Sequence, residues 1–304
     1  MTQFVRKLIV ALLLGLFVTF GAVAQSPEPA WLQIERAHKL AADGDYGVAI
    51  QLYREALLLD RGNPEATFGL ARAFKSVNDY SIAEEYLLEA IAVADDLIVP
   101  AVRYEINYEL GDLYRVQRKL SEYEQILFST VALAAGEPTR PRSIEVPADT
   151  LQTVLIDDGL DRVLFLYRVT EDGGTRARGE LCELLIGLGR YDAAAEHGLV
   201  AVVQQLSTVI EAVIRRDPGY EYETVLGALT SAETYPETRA YLADTSLYEN
   251  LYFLGSAFYS RGNAEAAKAA WRLLLLLPRA GRWSDRARIQ LADPQLEPLL
   301  IPPR

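Results

Sequence analysis

Two stretches decide the fold: AHKLAADGDYGVAIQLYREAL, Ala37 to Leu57, and ARAFKSVNDYSIAEEYLLEAI, Ala71 to Ile91. They align without a gap at a spacing of 34 residues. In each, a small residue (Ala37, Ala71) precedes a large apolar one (Leu40, Phe74) on one helical face. A short turn follows, Gly44-Asp45-Tyr46 or Asn78-Asp79-Tyr80, and then a second helix carrying Ala49, Tyr53 and Ala56, or Ala83, Leu87 and Ala90. Small side chains let paired helix backbones approach, the large apolar ones fill the space between hairpins, and Gly or Asn in the turn tolerates left-handed backbone angles. Pro64, after Asn63, opens the first helix of the second unit.

Working outward, a third copy reads LGDLYRVQRKLSEYEQIL, with Leu110, Gly111 and Tyr114 on its first helix and Leu120, Tyr123 and Leu127 on its second. Its glycine lies 40 residues after Ala71, and the extra residues fall around Asp95 to Ala101, which predicts a longer helix or a loop before Pro100. A fourth copy, LCELLIGLGRYDAAAEHGLVAV, contributes Leu181, Cys182, Leu185, Gly189, Tyr191, Ala194, Gly198 and Ala201. The fifth, LGSAFYSRGNAEAAKAAWRLLLLLP, contributes Leu254, Gly255, Phe258, Gly262, Ala267 and Trp271, and Pro278 ends it.

Five hairpins in one frame at this period resemble the tetratricopeptide repeat family. The resemblance implies an all-α protein, an α-solenoid of about seven antiparallel hairpins in a right-handed superhelix whose first helices line a concave protein-binding groove. Gly111 to Cys182 and Cys182 to Gly255 each span near twice the period, so each gap is expected to hold a degenerate hairpin. In the first gap Gly136 to Pro141 reads as a loop. Pro147 to Val169 has helical spacing at Leu151, Val154, Leu155, Leu160, Val163 and Leu164, although Val163 to Val169 is also rich in β-formers. In the second gap Tyr220 to Glu233 and Glu237 to Asp244 read as two short helices separated by Pro236. Ser284 to Leu291 reads as a cap. A tail from Asp293 with Pro294, Pro298, Pro302 and Pro303 is expected to be extended and partly mobile.

The start of the chain bears on compartment. Arg6 and Lys7 precede an apolar run from Leu8 to Phe20 that ends in Ala22-Val23-Ala24, the pattern of a cleavable signal peptide with cleavage near Ala24-Gln25. The run is shorter than the about 20 residues needed to span hydrocarbon. A periplasmic or secreted protein is expected, with no stable membrane span after leader cleavage. The organisation is then a signal peptide (1–24), N-terminal hairpins (25–132), a loop with a degenerate hairpin (133–174), C-terminal hairpins with a cap (175–292) and the proline-rich tail (293–304).

Without the leader the chain keeps 28 Lys and Arg against 42 Asp and Glu, a formal charge of −14, with no dense basic run. That composition argues against nucleic acid and favours basic partners. A lone cysteine, Cys182, forms no internal disulfide and occupies the small-residue position of its repeat, so it reads as core. The two histidines, His38 and His197, stand in distant repeats without metal-site spacing. Adjacent acids such as Glu84-Glu85 and Asp95-Asp96 point about 100° apart on a helix and do not converge. Asp157-Asp158-Gly159-Leu160-Asp161 lacks the alternation and closing glutamate of a calcium loop and reads as a helix interruption. No phosphate loop, dinucleotide fingerprint or nucleophile elbow occurs, so neither an enzyme nor a cofactor is expected.

Projecting the first helices gives the expected groove: Ile34 and His38; Phe68, Arg72 and Lys75; Tyr108, Asp112 and Arg115; Glu183 and Ile186; Tyr252, Ser256 and Tyr259. Tyrosines in such a lining suit protein recognition, because each joins apolar area to a hydrogen-bonding tip. The peptide-carboxylate clamp of chaperone-binding family members is absent: Arg72 stands where its asparagine would be and Phe68 where its leading lysine would be. The expectation is an exported scaffold that binds a peptide or protein partner in cell-envelope assembly, with self-association left open. The alternative is a periplasmic solute-binding accessory to a transporter.

Overall fold

A computed structural model describes residues 28–136 and 148–297. The leader, Pro147, most of the expected Gly136 to Pro141 loop, and Pro298, Pro302 and Pro303 lie outside them. Among the described residues there are helices and no strands. The chain divides into two compact units, one ending at Asp96 and the other beginning at Leu97.

The first unit contains α1 (Ala30–Ala42), α2 (Tyr46–Leu59), α3 (Pro64–Ser76) and α4 (Tyr80–Ala92), followed by a single 3₁₀ turn, Ala94–Asp96. Asn63 caps α3, its Oδ1 accepting from the Ala66 N–H at 2.9 Å, with Pro64 in the first turn. The small residues of the sequence pattern, Ala37, Ala49, Ala56, Ala71, Ala83 and Ala90, are fully buried. Gly69 has no room for a side chain: a Cβ there would stand 2.5 Å from the ring of Tyr53, itself buried.

The second unit contains α5 (Val102–Val116), α6 (Leu120–Ala135), α7 (Ala148–Asp158), α8 (Leu160–Leu166), α9 (Thr175–Gly187), α10 (Tyr191–Arg216), α11 (Val225–Ala232), α12 (Pro236–Asp244), α13 (Leu247–Ser260), α14 (Ala264–Leu276) and α15 (Arg282–Ala292). Its axis is α10, against which α9 and α13 pack. By length and composition α10 could cross a membrane, but 72% of its apolar window is buried inside the protein, as befits a core helix. At the far hairpin Trp271 is wholly buried and donates its Nε1–H to the Tyr252 carbonyl at 3.2 Å. Burying a large aromatic side chain of this kind stabilises by about 2–3 kcal/mol.

One local device repeats through both units. After the first helix of each of the five hairpins a residue sits at positive φ: Gly44, Asn78, Arg118, Gly189 and Gly262. The following N–H reaches back to the last turn of the helix, as in Asp45 to Leu40 O at 2.8 Å, Lys119 to Tyr114 O at 2.9 Å and Asn263 to Phe258 O at 2.9 Å. The positive-φ residue makes the companion bond, as in Asn78 to Lys75 O at 3.0 Å. This left-handed cap satisfies carbonyls that the helix end leaves free and reverses the chain, so each hairpin closes the same way.

Two expectations need correction. Helix does not continue to Val169: α8 ends at Leu166, and the chain then runs extended. Its amides turn to side chains of α10, Val169 N–H to Ser207 Oγ at 3.1 Å and Glu171 N–H to Thr208 Oγ1 at 3.2 Å, an alternative to both helix and sheet. The segment from Tyr220 becomes helical only at Val225, because Thr224 caps it by accepting from the Gly227 N–H at 3.1 Å. Of the tail, residues 293–297 are described and take no regular structure, as expected of an extended segment, but they are held by side chains of α13 and α15.

Candidate functional site

The candidate site lies wholly in the second unit, in a cleft of about 430 Å³ bordered by α5, α9, α10 and α13. Its floor is built from amides and hydroxyls. Asn250 and Gln205, both 2% exposed, are joined by Asn250 Nδ2 donating to Gln205 Oε1 at 2.9 Å, and Gln205 Nε2 donates to Thr245 Oγ1 at 2.8 Å. This chain ties α13 to α10, and the bare backbone at Gly179 lets α9 close over it.

The start of α9 is fixed by a second polar set. Asp172 accepts from the Gly174 N–H at 2.8 Å and from Gln204 Nε2 at 3.0 Å, while Thr175 Oγ1 donates to Gln204 Oε1 at 3.1 Å. Tyr108 of α5 joins in: its hydroxyl donates to the Gly173 carbonyl at 2.6 Å and accepts from the Ala177 N–H at 3.2 Å. Two elements of the cleft are thereby locked together before any charged group is considered.

Charge is carried on the rim. Arg176 lies 4.5 Å above the Tyr108 ring and is shared between Glu180 (2.6 Å) and Asp112 (3.2 Å), which also pairs with Arg115 (3.1 Å). Burial works against the Arg176 cation, and Glu180 and Asp112 more than offset it, raising its pKa. The Tyr123 hydroxyl donates to Glu180 at 2.6 Å, and burial first, then that carboxylate, pushes the phenol well above its ordinary range.

Glu183 of α9, Glu249 of α13 and Phe253 also line the cleft. Burial pushes both carboxyls upward. The Glu249 charge adds to the effect at Glu183, Arg282 opposes the effect at Glu249, and Arg115 and Arg286 oppose it at both. Among the described residues neither carboxylate makes a hydrogen bond or ion pair. Glu171 and Asp244 complete the lining, so carboxylates outnumber guanidiniums, and Arg176 is already committed to neighbours. The cleft thus joins two carboxyls without an ion-pair contact, acted on by Arg115, Arg282 and Arg286, to an aromatic side chain in the same lining, a surface complementary to a cation on an apolar stem.

The residues projected from sequence divide into four groups. Arg115 and Glu183 line the cleft, and Asp112 and Tyr108 support it from α5. Phe68, Arg72 and Lys75 belong to α3 of the first unit, where Phe68 is buried and Arg72 lies 5.6 Å from its ring. Tyr252 and Ser256 are each 2% exposed and, with Tyr259, bond to the segment after α15. Ile34 and Ile186 are buried, whereas His38 is exposed beside Tyr53. Glu180, Glu249, Phe253 and Arg176 were not among the projected residues, although Glu180 precedes Glu183, and Glu249 precedes Tyr252, by one helical turn on the same face. Cys182 is fully buried against Gly198, where a Cβ would stand 2.6 Å from its Sγ, and burial pushes the thiol up. No group of three or more potential metal ligands occurs among the described residues.

Residues 40–102 match the family model described as tetratricopeptide repeat. The chain is 21% identical over 234 residues to an uncharacterized protein of Treponema pallidum (strain Nichols), covering 75% of this chain and 61% of that protein, less than two thirds of its length. It is 23% identical over 294 residues to an uncharacterized protein of Borreliella burgdorferi, covering 87% of this chain and 90% of that one. Among solved structures, YrrB, a TPR protein with an unusual peptide-binding site, aligns at TM-score 0.44 and 14% identity, covering 84% of this chain and 90% of its own. MamA aligns at TM-score 0.40 and 16% identity, covering 90% and 98% respectively.

Proposed function

We propose, from the premise that this chain is a tetratricopeptide-repeat protein, that it is an exported scaffold whose second unit grips an extended segment of a partner protein through a basic side chain. The fold implies a protein-interaction scaffold. The single observation that carries the finer reading is the pair Glu183 and Glu249, half-buried and without an ion-pair partner among the described residues. A Lys or Arg side chain entering the cleft would neutralise both and pack its stem against Phe253, while the Asn250–Gln205 pair keeps α10 and α13 in place around it.

Export rests on the leader pattern of residues 1–24, and a role in cell-envelope assembly on the joining of export to a binding fold. An enzyme is not part of this reading. A photoreactive phenylalanine analogue at Phe253, in cells producing the full chain, should give one dominant adduct joined near a Lys or Arg of the partner. The same adduct pattern from an exposed control position such as Ile289 would contradict the reading. The mature chain should start near Gln25 by mass.

The cleft volume also falls within the range of small-molecule sites, about 300–1,000 Å³. A small organic cation is therefore the second reading. A rise in Tm with polyamines, absent with basic peptides, would favour it.

A further inference from the structure

Beyond α15 the chain folds back over α13. The Pro294 carbonyl accepts from Tyr259 Oη at 3.0 Å. Gln290 brackets Gln295, its Oε1 accepting from the Gln295 N–H at 2.8 Å and its Nε2 donating to the Gln295 carbonyl at 3.2 Å. The Glu297 carboxylate then enters a pocket: Arg286 Nη2 donates to it at 2.7 Å, Ser256 Oγ at 3.3 Å and Gln290 Nε2 at 3.2 Å, and Tyr252 Oη donates as well. The Arg286 guanidinium itself lies 4.3 Å from the Tyr252 ring and 5.1 Å from that of Trp283.

The Glu297 carboxylate is only 8% exposed. Withdrawing a carboxylate from water costs several kcal/mol unless donors replace its hydration, and here donors from two helices converge on it. A segment that merely trails from a helix end has no need of such a site. The hairpin beneath has its own core, with α13 packed on α14 and Leu254, Phe258, Trp271 and Leu274 all buried. Tyr252, Ser256 and Tyr259 also occupy one face of α13.

We infer that Asp293–Glu297 is an internal ligand: Tyr252, Ser256, Arg286 and Gln290 form a glutamate-recognition pocket, which an extended acidic segment of a partner protein occupies by displacing the chain's own Glu297. The geometry selects a carboxylate on a flexible stem preceded by an extended backbone, because Tyr259 and Gln290 read main-chain groups at Pro294 and Gln295. This pocket recognises the charge opposite to that sought by the Glu183 and Glu249 pair, and although Arg286 acts electrostatically on that pair, acidic and basic peptides tell the failure of one from the failure of the other.

The test uses the full chain and a fluorescent peptide spanning Leu291 to Pro298, which carries the same glutamate. Glu297→Lys, whose side chain Arg286 repels, should bind the peptide at least about tenfold more tightly than the unaltered chain. Arg286→Ala in that background, or Gln for the peptide's glutamate, should remove the gain. Equal binding to both chains, or a gain that survives Arg286→Ala, overturns the proposal. Should Glu297→Lys fail to fold, hydrogen exchange on the unaltered chain decides: saturating peptide should speed exchange of the Gln295 amide at least about tenfold, and an unchanged rate overturns the proposal. Light scattering that finds a dimer lost in Arg286→Ala would also overturn it, in favour of segment exchange between two copies.

Discussion

A Cβ on Gly179 would stand 2.4 Å from Oδ1 of Asn250, so the contact between α9 and α13 exists only because residue 179 has no side chain. Asn250 is 2% exposed and bonded to Gln205, so it cannot swing away without leaving buried polar atoms unpaired. Gly179→Ala should therefore destabilise the protein by about 1–3 kcal/mol, read as a lower Tm or denaturation midpoint. A change below a few tenths would mean that α9 and α13 are less tightly apposed than described.

Glu183 and Glu249 should show a trade between stability and binding. Their folded pKa values lie above the unfolded ones, so stability is lost as pH rises through the folded values and the groups ionise. Glu183→Gln and Glu249→Gln should each raise Tm at pH 7, while each weakens a basic ligand by about tenfold, equivalent to ~1.4 kcal/mol. Calorimetric scans at pH 5 and pH 7 check the sign, since the stabilisation should shrink at the lower pH.

His197 should make the protein acid-sensitive. Burial, then the charges of Arg178 and Arg190, lower its pKa to about 4 from the ordinary 6.5, and its ring packs edge-on against Phe128. The unfolded chain takes up this proton first as pH falls. The stability of the neutral ring is thus whole above pH 6.5 and lost between there and about 4. On the order of 2–3 kcal/mol should disappear over that window. His197→Leu should flatten that part of the stability profile, and an unchanged slope would show that other groups carry it.

The turn at Arg118 strains a side-chain-bearing residue at φ 58°, where three of the other hairpins place glycine. A left-handed residue with a Cβ costs roughly 1–2 kcal/mol, partly offset by the extra unfolded freedom of glycine. Arg118→Gly should raise stability by about 0.5–1 kcal/mol, measured by denaturant unfolding.

Much of this architecture was written in short-range pattern. The alternation of Ala37, Gly44 and Ala49 with its copies marks helix, turn and helix, because each hairpin is closed by contacts within itself. The length of α10 was not legible. Its small-residue pattern at Ala194, Gly198 and Ala201 gives way to apolar residues mixed with buried Gln204, Gln205 and Ser207, with no breaker before Pro218, since the helix is buried from several directions. Glu249 shared a face with Tyr252 and was available to the same projection. The docking of Glu297 was beyond it, because that contact joins a residue outside any repeat to side chains 41 and 45 positions earlier.

If Glu183 and Glu249 receive a basic partner segment, removing their charge must remove the binding. The most direct measurement is calorimetric titration of the mature chain, and of the Glu183→Gln, Glu249→Gln double variant, with an extended lysine-bearing peptide at two salt concentrations. Binding should weaken as salt rises and fall by about a hundredfold in the double variant, ~2.7 kcal/mol for two charges. Equal affinity of the two proteins, or tighter binding of a glutamate-bearing peptide by the double variant's cleft alone, would contradict that role for the pair.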